Sequence, residues 1–304
     1  MSRLDQEFAQ RTPAGYPTMP GYTPGRGQGA PTMGRPYAPT SAPSGYETAA
    51  GRIPMEEYEQ AYAGRDAGPV QTGRMTYDDV IVKTGAMFGL VLAGAILGWM
   101  AIGMAPGLGL ALVFGGMIAS LVLAMVNIFS KKIRPALISA YAVAEGLMLG
   151  GFSWMFELMY PGIVMQAVIA TFAVMGVALA LFASGKVRYS SKTSRFVLIG
   201  LFSILGYNLL NMVLVWTGVL DTAWGLGSIT IAGIPLGLIV GVFAVIVGTY
   251  SLIGDFDVAK RGVEAGAPRI YAWSVAFGIT VTAVWIYVEV LRLIAIFRSV
   301  VGNE

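Results

Sequence analysis

Seven uninterrupted apolar segments, each long enough to cross a lipid bilayer, constrain this chain more than any other feature. They occupy residues 85–104, 108–129, 135–157, 163–183, 195–216, 234–254 and 272–296. About 20 helical residues, at roughly 1.5 Å of rise each, cover the ~30 Å hydrocarbon core. Inside hydrocarbon every backbone N–H and C=O needs a protein partner, so only helices and closed barrels span it. The runs lack the alternating pattern of barrel strands and therefore predict helices. Composition agrees: 56% of the 304 residues are hydrophobic and 12% charged, about half the charge of a soluble domain. Mean hydropathy is +0.67. The expected fold class is an all-α membrane protein with seven transmembrane helices, and its first partner is the lipid bilayer.

The chain divides near residue 76. Residues 1–75 hold ten of the 15 prolines in polar text rich in Gly and Tyr, such as GYPTMPGYTPGRGQGAPTMGRPYAPT. Such a segment cannot bury enough apolar area to offset its ordering entropy, so it reads as a disordered tail. It has no apolar core near its start and is not a secretory signal. Its tyrosines are candidate docking points. Residues 76–304 form the seven-helix domain. Thr76 followed three residues later by Asp79 reads as a capping box, with acids Asp78 and Asp79 in the first turn.

Lys and Arg alternate between the segments. Arg65, Arg74 and Lys83 precede the first; Lys131, Lys132 and Arg134 follow the second; Lys186, Arg188, Lys192 and Arg195 follow the fourth; Lys260, Arg261 and Arg269 follow the sixth. The other loops carry none, and Arg298 alone lies at the far end. By the positive-inside rule the tail is cytoplasmic, the C-terminus lies outside, and the protein is a multi-pass plasma-membrane protein. The net charge of +3 is thus topology, and no nucleic-acid partner is expected. Trp99, Trp154, Trp216 and Trp273 sit near segment ends, as interfacial belts do.

The chain contains no Cys and no His. That removes thiol nucleophiles, Cys/His metal sites and any Ser-His-Asp triad, and no enzymatic activity or bound cofactor is expected. Small-residue pairs at four-residue spacing, Gly85/Gly89, Gly94/Gly98, Gly146/Gly150 and the line Gly233, Gly237, Gly241, predict close helix packing. A charge within the bilayer needs a reason. Glu145 falls about 15 Å into the third helix, near the midplane. Glu289 lies in the outer part of the seventh, one turn before Arg292, as an ion pair would. Asp255 and Asp257 close the inner end of the sixth, where the helix dipole disfavours acids. Together they make a ladder of oxygen ligands such as a cation or proton path needs, and Ca2+ at Asp255 and Asp257 is compatible with it. Asn208 and Asn211 in the fifth segment read as interhelical hydrogen-bonders.

Several separated stretches resemble one family. They are Tyr141-Ala-Val-Ala-Glu-Gly146, Gln166-Ala-Val-Ile-Ala-Thr171-Phe, Gly254-Asp-Phe-Asp-Val258, Gly266-Ala-Pro268 and Trp285-Ile-Tyr-Val-Glu289-Val-Leu-Arg292-Leu. Over about residues 75–298 the chain resembles the Bax inhibitor 1 family (transmembrane Bax inhibitor motif), in the form common in high-GC Gram-positive bacteria. The resemblance implies six helices around a central C-terminal one and a pH-sensitive calcium leak. It implies two proton-sharing aspartates, one on the sixth helix and one on the seventh, latched by an arginine after the second. The first matches Asp255; the second falls on Thr282, a departure from the pattern. Asp257 is the substitute partner for Asp255. Lys131, Lys132, Arg134 and Arg292 are the candidate latch residues. The rival implication is a non-transporting regulator of a membrane-bound AAA+ protease or of a stress response, acting through protein contacts.

Overall fold

The computed structural model describes residues 73–185, 187, 189–222 and 224–301. Most of the expected tail, residues 1–72, lies outside the described residues, as do Lys186 and Arg188 of the basic loops. Among the described residues seven α-helices follow in order: α1 Tyr77–Met104, α2 Pro106–Phe129, α3 Pro135–Met159, α4 Ile163–Ala183, α5 Ser191–Trp216, α6 Leu236–Glu264 and α7 Tyr271–Val301. All seven are long and apolar enough to cross a membrane. Pro106 and Pro135 each stand at the first helical position, where a missing N–H costs nothing.

Both boundaries of the sixth segment differ from the sequence expectation in ways that bear on the site. The sixth segment was expected to begin at residue 234. Instead Thr230–Ile231 and Ile234–Pro235 pair as a minimal antiparallel hairpin, closed by Ala232 and Gly233, both at positive φ. Two positive φ values in succession are those of the type I′ turn that matches strand twist. Gly233 is therefore a turn residue and not part of a helical packing line. At the other end α6 runs ten residues past 254, to Glu264. At about 43 Å it outlasts the hydrocarbon core. Asp255 and Asp257 thus lie within a continuing helix rather than at its terminus, and the dipole argument does not apply to them.

The C-terminal helix is the most buried: 61% of its most apolar window is inside the protein, against 17% for α1, α2 and α5. It packs against α1, α6, α4 and α3, while α2 leans on α3 and α1, and α5 on α6. The exposed faces of α1, α2, α4 and α5 carry residues such as Leu92, Ile118, Phe172 and Phe202; helices apolar on every side are those that lipid surrounds.

Glycine brings α1 and α3 together. A Cβ on Gly94 would stand 2.5 Å from the Val143 carbonyl oxygen and 3.0 Å from Gly146 Cα. Gly98, Gly146 and Gly150 face backbone just as closely. Gly237 and Gly241 admit Ile296 and Leu293 of α7. Gly85 and Gly89 have nothing within 4 Å and do not serve packing in this structure.

The last residues assigned to the tail by composition belong to the bundle. Met75 is 1% exposed. Its N–H donates to Ala267 O at 2.8 Å, and Arg269 N–H donates to Gly73 O at 2.9 Å. Residues 73–75 are a strap across the α6–α7 turn.

Candidate functional site

The capping box at Thr76 forms as the sequence predicts. Asp79 N–H donates to Thr76 Oγ1 at 3.1 Å, and Asp79 Oδ2 accepts from Thr76 N–H at 3.3 Å. Asp79 does more than cap. Its Oδ1 accepts from Arg269 Nε at 2.7 Å, and Lys83 Nζ, 3.8 Å away, donates to Arg269 O at 2.8 Å. This buried carboxylate pins the strap and the α6–α7 turn to α1. The signal was present as an acid in a first turn, but its partner is 190 residues away and has no sequence signature.

The four candidate carboxylates are not gathered into one cluster. Among the described residues no three acidic side chains come together to hold a metal ion. Asp255 faces α7: Thr282 Oγ1 donates to its Oδ2 at 2.7 Å, and a Cβ on Gly278 would stand 3.1 Å from its Oδ1. Thr282, the residue that departs from the aspartate pattern, is therefore the residue that meets Asp255. Asp257 is not. It pairs with Arg261 at 2.9 Å along its own helix, because residues two apart on a helix point to different faces. In this structure Asp257 is thus engaged with Arg261 on another face of α6 from Asp255.

Glu289 is 4% exposed and tied down. Arg292 donates to it at 2.5 Å and, through its other terminal nitrogen, to Asn208 Oδ1 of α5 at 3.0 Å. A buried carboxylate with its own counter-charge and a bridging amide is what a bundle needs to hold an acid in hydrocarbon. Arg292 is thus engaged away from Asp255. Asn208 is the expected interhelical bonder; Asn211 instead accepts from Leu226 N–H at 2.7 Å, holding the α5–α6 connection.

Glu145 is partly buried in α3, beside the Ser120 hydroxyl of α2, which also donates to Met117 O at 3.1 Å. Gly146, the next residue, is pressed on α1, so Glu145 is carried by the tightest helix contact in the protein. Lys131, Lys132 and Arg134 are exposed. Among the described residues none of them forms an ion pair with Asp255 or Glu145, so the latch is not engaged in this structure. Among the described residues, Asp255 and Glu145 are left as the candidate carboxylates with hydroxyl neighbours and no paired cation. Asp255 lies about 14 Å before the end of α6, level with the α4–α5 turn, whose Tyr189 touches Gly254.

Comparison with known proteins covers nearly the whole bundle and extends beyond it. Residues 23–299 match the profile of a family described as Bax inhibitor 1 like. The match begins well before the first helix and takes in most of the tail that the sequence motifs left outside. No curated protein matches the chain.

Proposed function

This chain belongs to the Bax inhibitor 1 like family of multi-pass membrane proteins, and from that premise we propose that it is a pH-sensitive cation leak, with calcium as cargo, in which Asp255 is the controlling carboxylate. We place the face bearing the basic loops toward the cytoplasm and the protein in the plasma membrane.

The observation that carries this reading is the contrast between Asp255 and three other acids of the bundle. Asp79, Asp257 and Glu289 each hold an ion pair with an arginine. Asp255 holds a hydroxyl. Thr282 satisfies one oxygen without cancelling the charge, and among the described residues no cation pairs with Asp255, so a hard cation reaching it finds an oxygen ligand with its charge available. Glu145 supplies a second oxygen deeper in the bundle. With Thr282 in place of a second acid there is no proton to share, and Asp255 titrates as a single group. Its protonation removes the same charge that Asp255→Asn removes, so the two act in one direction. Glu289 and Arg292 are structural on this reading.

The test is flux into liposomes loaded with a calcium dye. Wild type should pass calcium in a pH-dependent way. Asp255→Asn should lose the pH dependence, and Glu145→Gln should lower the flux. No flux above empty liposomes refutes the leak; flux that survives both changes places the path elsewhere.

A second reading, a non-transporting regulator of a membrane-bound AAA+ protease, is favoured by the tail. The family match reaches into it, and its root is strapped to the bundle. Removing residues 1–72 should then abolish co-purification of that protease while the melting temperature stays unchanged.

A further inference from the structure

The α4–α5 turn touches α6 at a point that the leak reading leaves unused. Gly254, the residue before Asp255, lies under the ring of Tyr189. A Cβ at Gly254 would stand 2.7 Å from Cε2, 2.8 Å from Cζ and 3.2 Å from Oη of that ring. The ring therefore rests on bare helix backbone, at a place where any side chain would lift it off.

At this level α6 is held from three sides. Gly254 meets Tyr189. Asp255 meets Thr282 and Gly278 of α7. Phe256 meets Phe182 at the end of α4, ring centroids 5.9 Å apart. Consecutive residues turn by about 100° on a helix, so the three contacts point in three directions and locate the helix axis. The contact on the α7 side is made by a glycine and a small hydroxyl residue. Larger side chains such as Leu252, Ile253, Ile279 and Ile286 pack in the core above and below it, so only the hydrogen-bonded level itself is thinly filled.

We propose that Tyr189 is a positioning residue for Asp255: its ring is a wedge that holds α6 against α7, keeps the Asp255–Thr282 hydrogen bond made, and closes that site on the face bearing the basic loops. The purpose of the wedge rests on the leak reading; its geometry does not. With the ring gone, α6 loses its support from the α4–α5 turn at this level, and only local shifts of its Gly254–Asp255 segment are needed to affect the site. A separation of about 1 Å takes a 2.7 Å hydrogen bond beyond bonding distance, so a small shift opens the site.

The absence of native cysteine makes the wedge testable without any transport assay. In the full chain, Thr282→Cys is the sole thiol. It is labelled in membrane vesicles of either orientation with a charged, membrane-impermeant thiol reagent. Labelling of Thr282→Cys alone should be slow. Adding Tyr189→Ala or Gly254→Ala should speed it about tenfold from the basic-loop face, as for a local opening. Tyr189→Phe, which keeps the ring, should leave it slow. Equal rates in all four proteins overturn the proposal. So does acceleration from both faces with a lowered melting temperature, which is general loosening. A labelling shift, where the wild-type chain passes no calcium, keeps the wedge and sinks the leak. Calcium flux with no labelling shift does the reverse.

Discussion

Replacing Gly94 by alanine should weaken the bundle, and the size of the effect follows from the α1–α3 contact. The new Cβ would stand 2.5 Å from Val143 O, 3.0 Å from Gly146 Cα and 3.1 Å from Leu147 N. All three atoms are backbone, so no rotamer change relieves the crowding. Ordinary contact begins near 3.4 Å, and the helices must part by about 0.9 Å (3.4 less 2.5) along that line. In lipid, close approach supplies dispersion that no hydrophobic effect replaces, and overpacking of this kind costs about 2 kcal/mol. For a bundle of this size that is a fall in melting temperature of about 6 °C. Gly89 is the matched control: same helix, nothing within 4 Å, so Gly89→Ala should leave the temperature unchanged or raise it slightly through helix propensity. The assay is thermal unfolding of both variants in one detergent, followed by circular dichroism. Equal shifts would refute the claim that backbone proximity, rather than glycine content, holds α1 to α3.

Three further outcomes follow from the ion pairs and the strap. Arg292→Ala strands a buried carboxylate and should destabilise by about 3–5 kcal/mol, whereas Arg292→Met with Glu289→Gln should recover much of the loss; unfolding in denaturant compares the two. Asp79→Ala removes a cap and the pin to Arg269, costing about 1–2 kcal/mol, and should raise hydrogen exchange at the Met75 and Arg269 amides before any other region. Thr282→Val removes the donor to Asp255 Oδ2 but no charge, so it should leave calcium flux present with an altered pH profile; abolished flux would show that the hydroxyl is itself a ligand.

Much of the fold was legible because the bilayer demands it. A helix that must satisfy its own backbone in hydrocarbon announces itself by length and apolarity, and α4 Ile163–Ala183 spans the residues that the apolar run predicts. Boundaries outside hydrocarbon were less legible. The last ten residues of α6 carry charges, so their helicity had no apolar signature; the first eight of α1 carry charges too, but there the Thr76 capping box marked the start. The hairpin at 230–235 depends on two successive positive φ values, one at an alanine that no turn rule singles out.

The candidate site divides in the same way. The sequence by itself determined that Glu145 and Glu289 lie within spans and that Glu289 has a cation one turn away, since both follow from spacing along one helix. Only the tertiary structure decided which acids are compensated. Asp79 meets Arg269, Asp255 meets Thr282 and Arg292 reaches Asn208 through contacts between helices far apart in the chain. Helical periodicity fixes the face on which a side chain stands, but packing decides what stands opposite it, and the charge left uncompensated is set by that opposite partner.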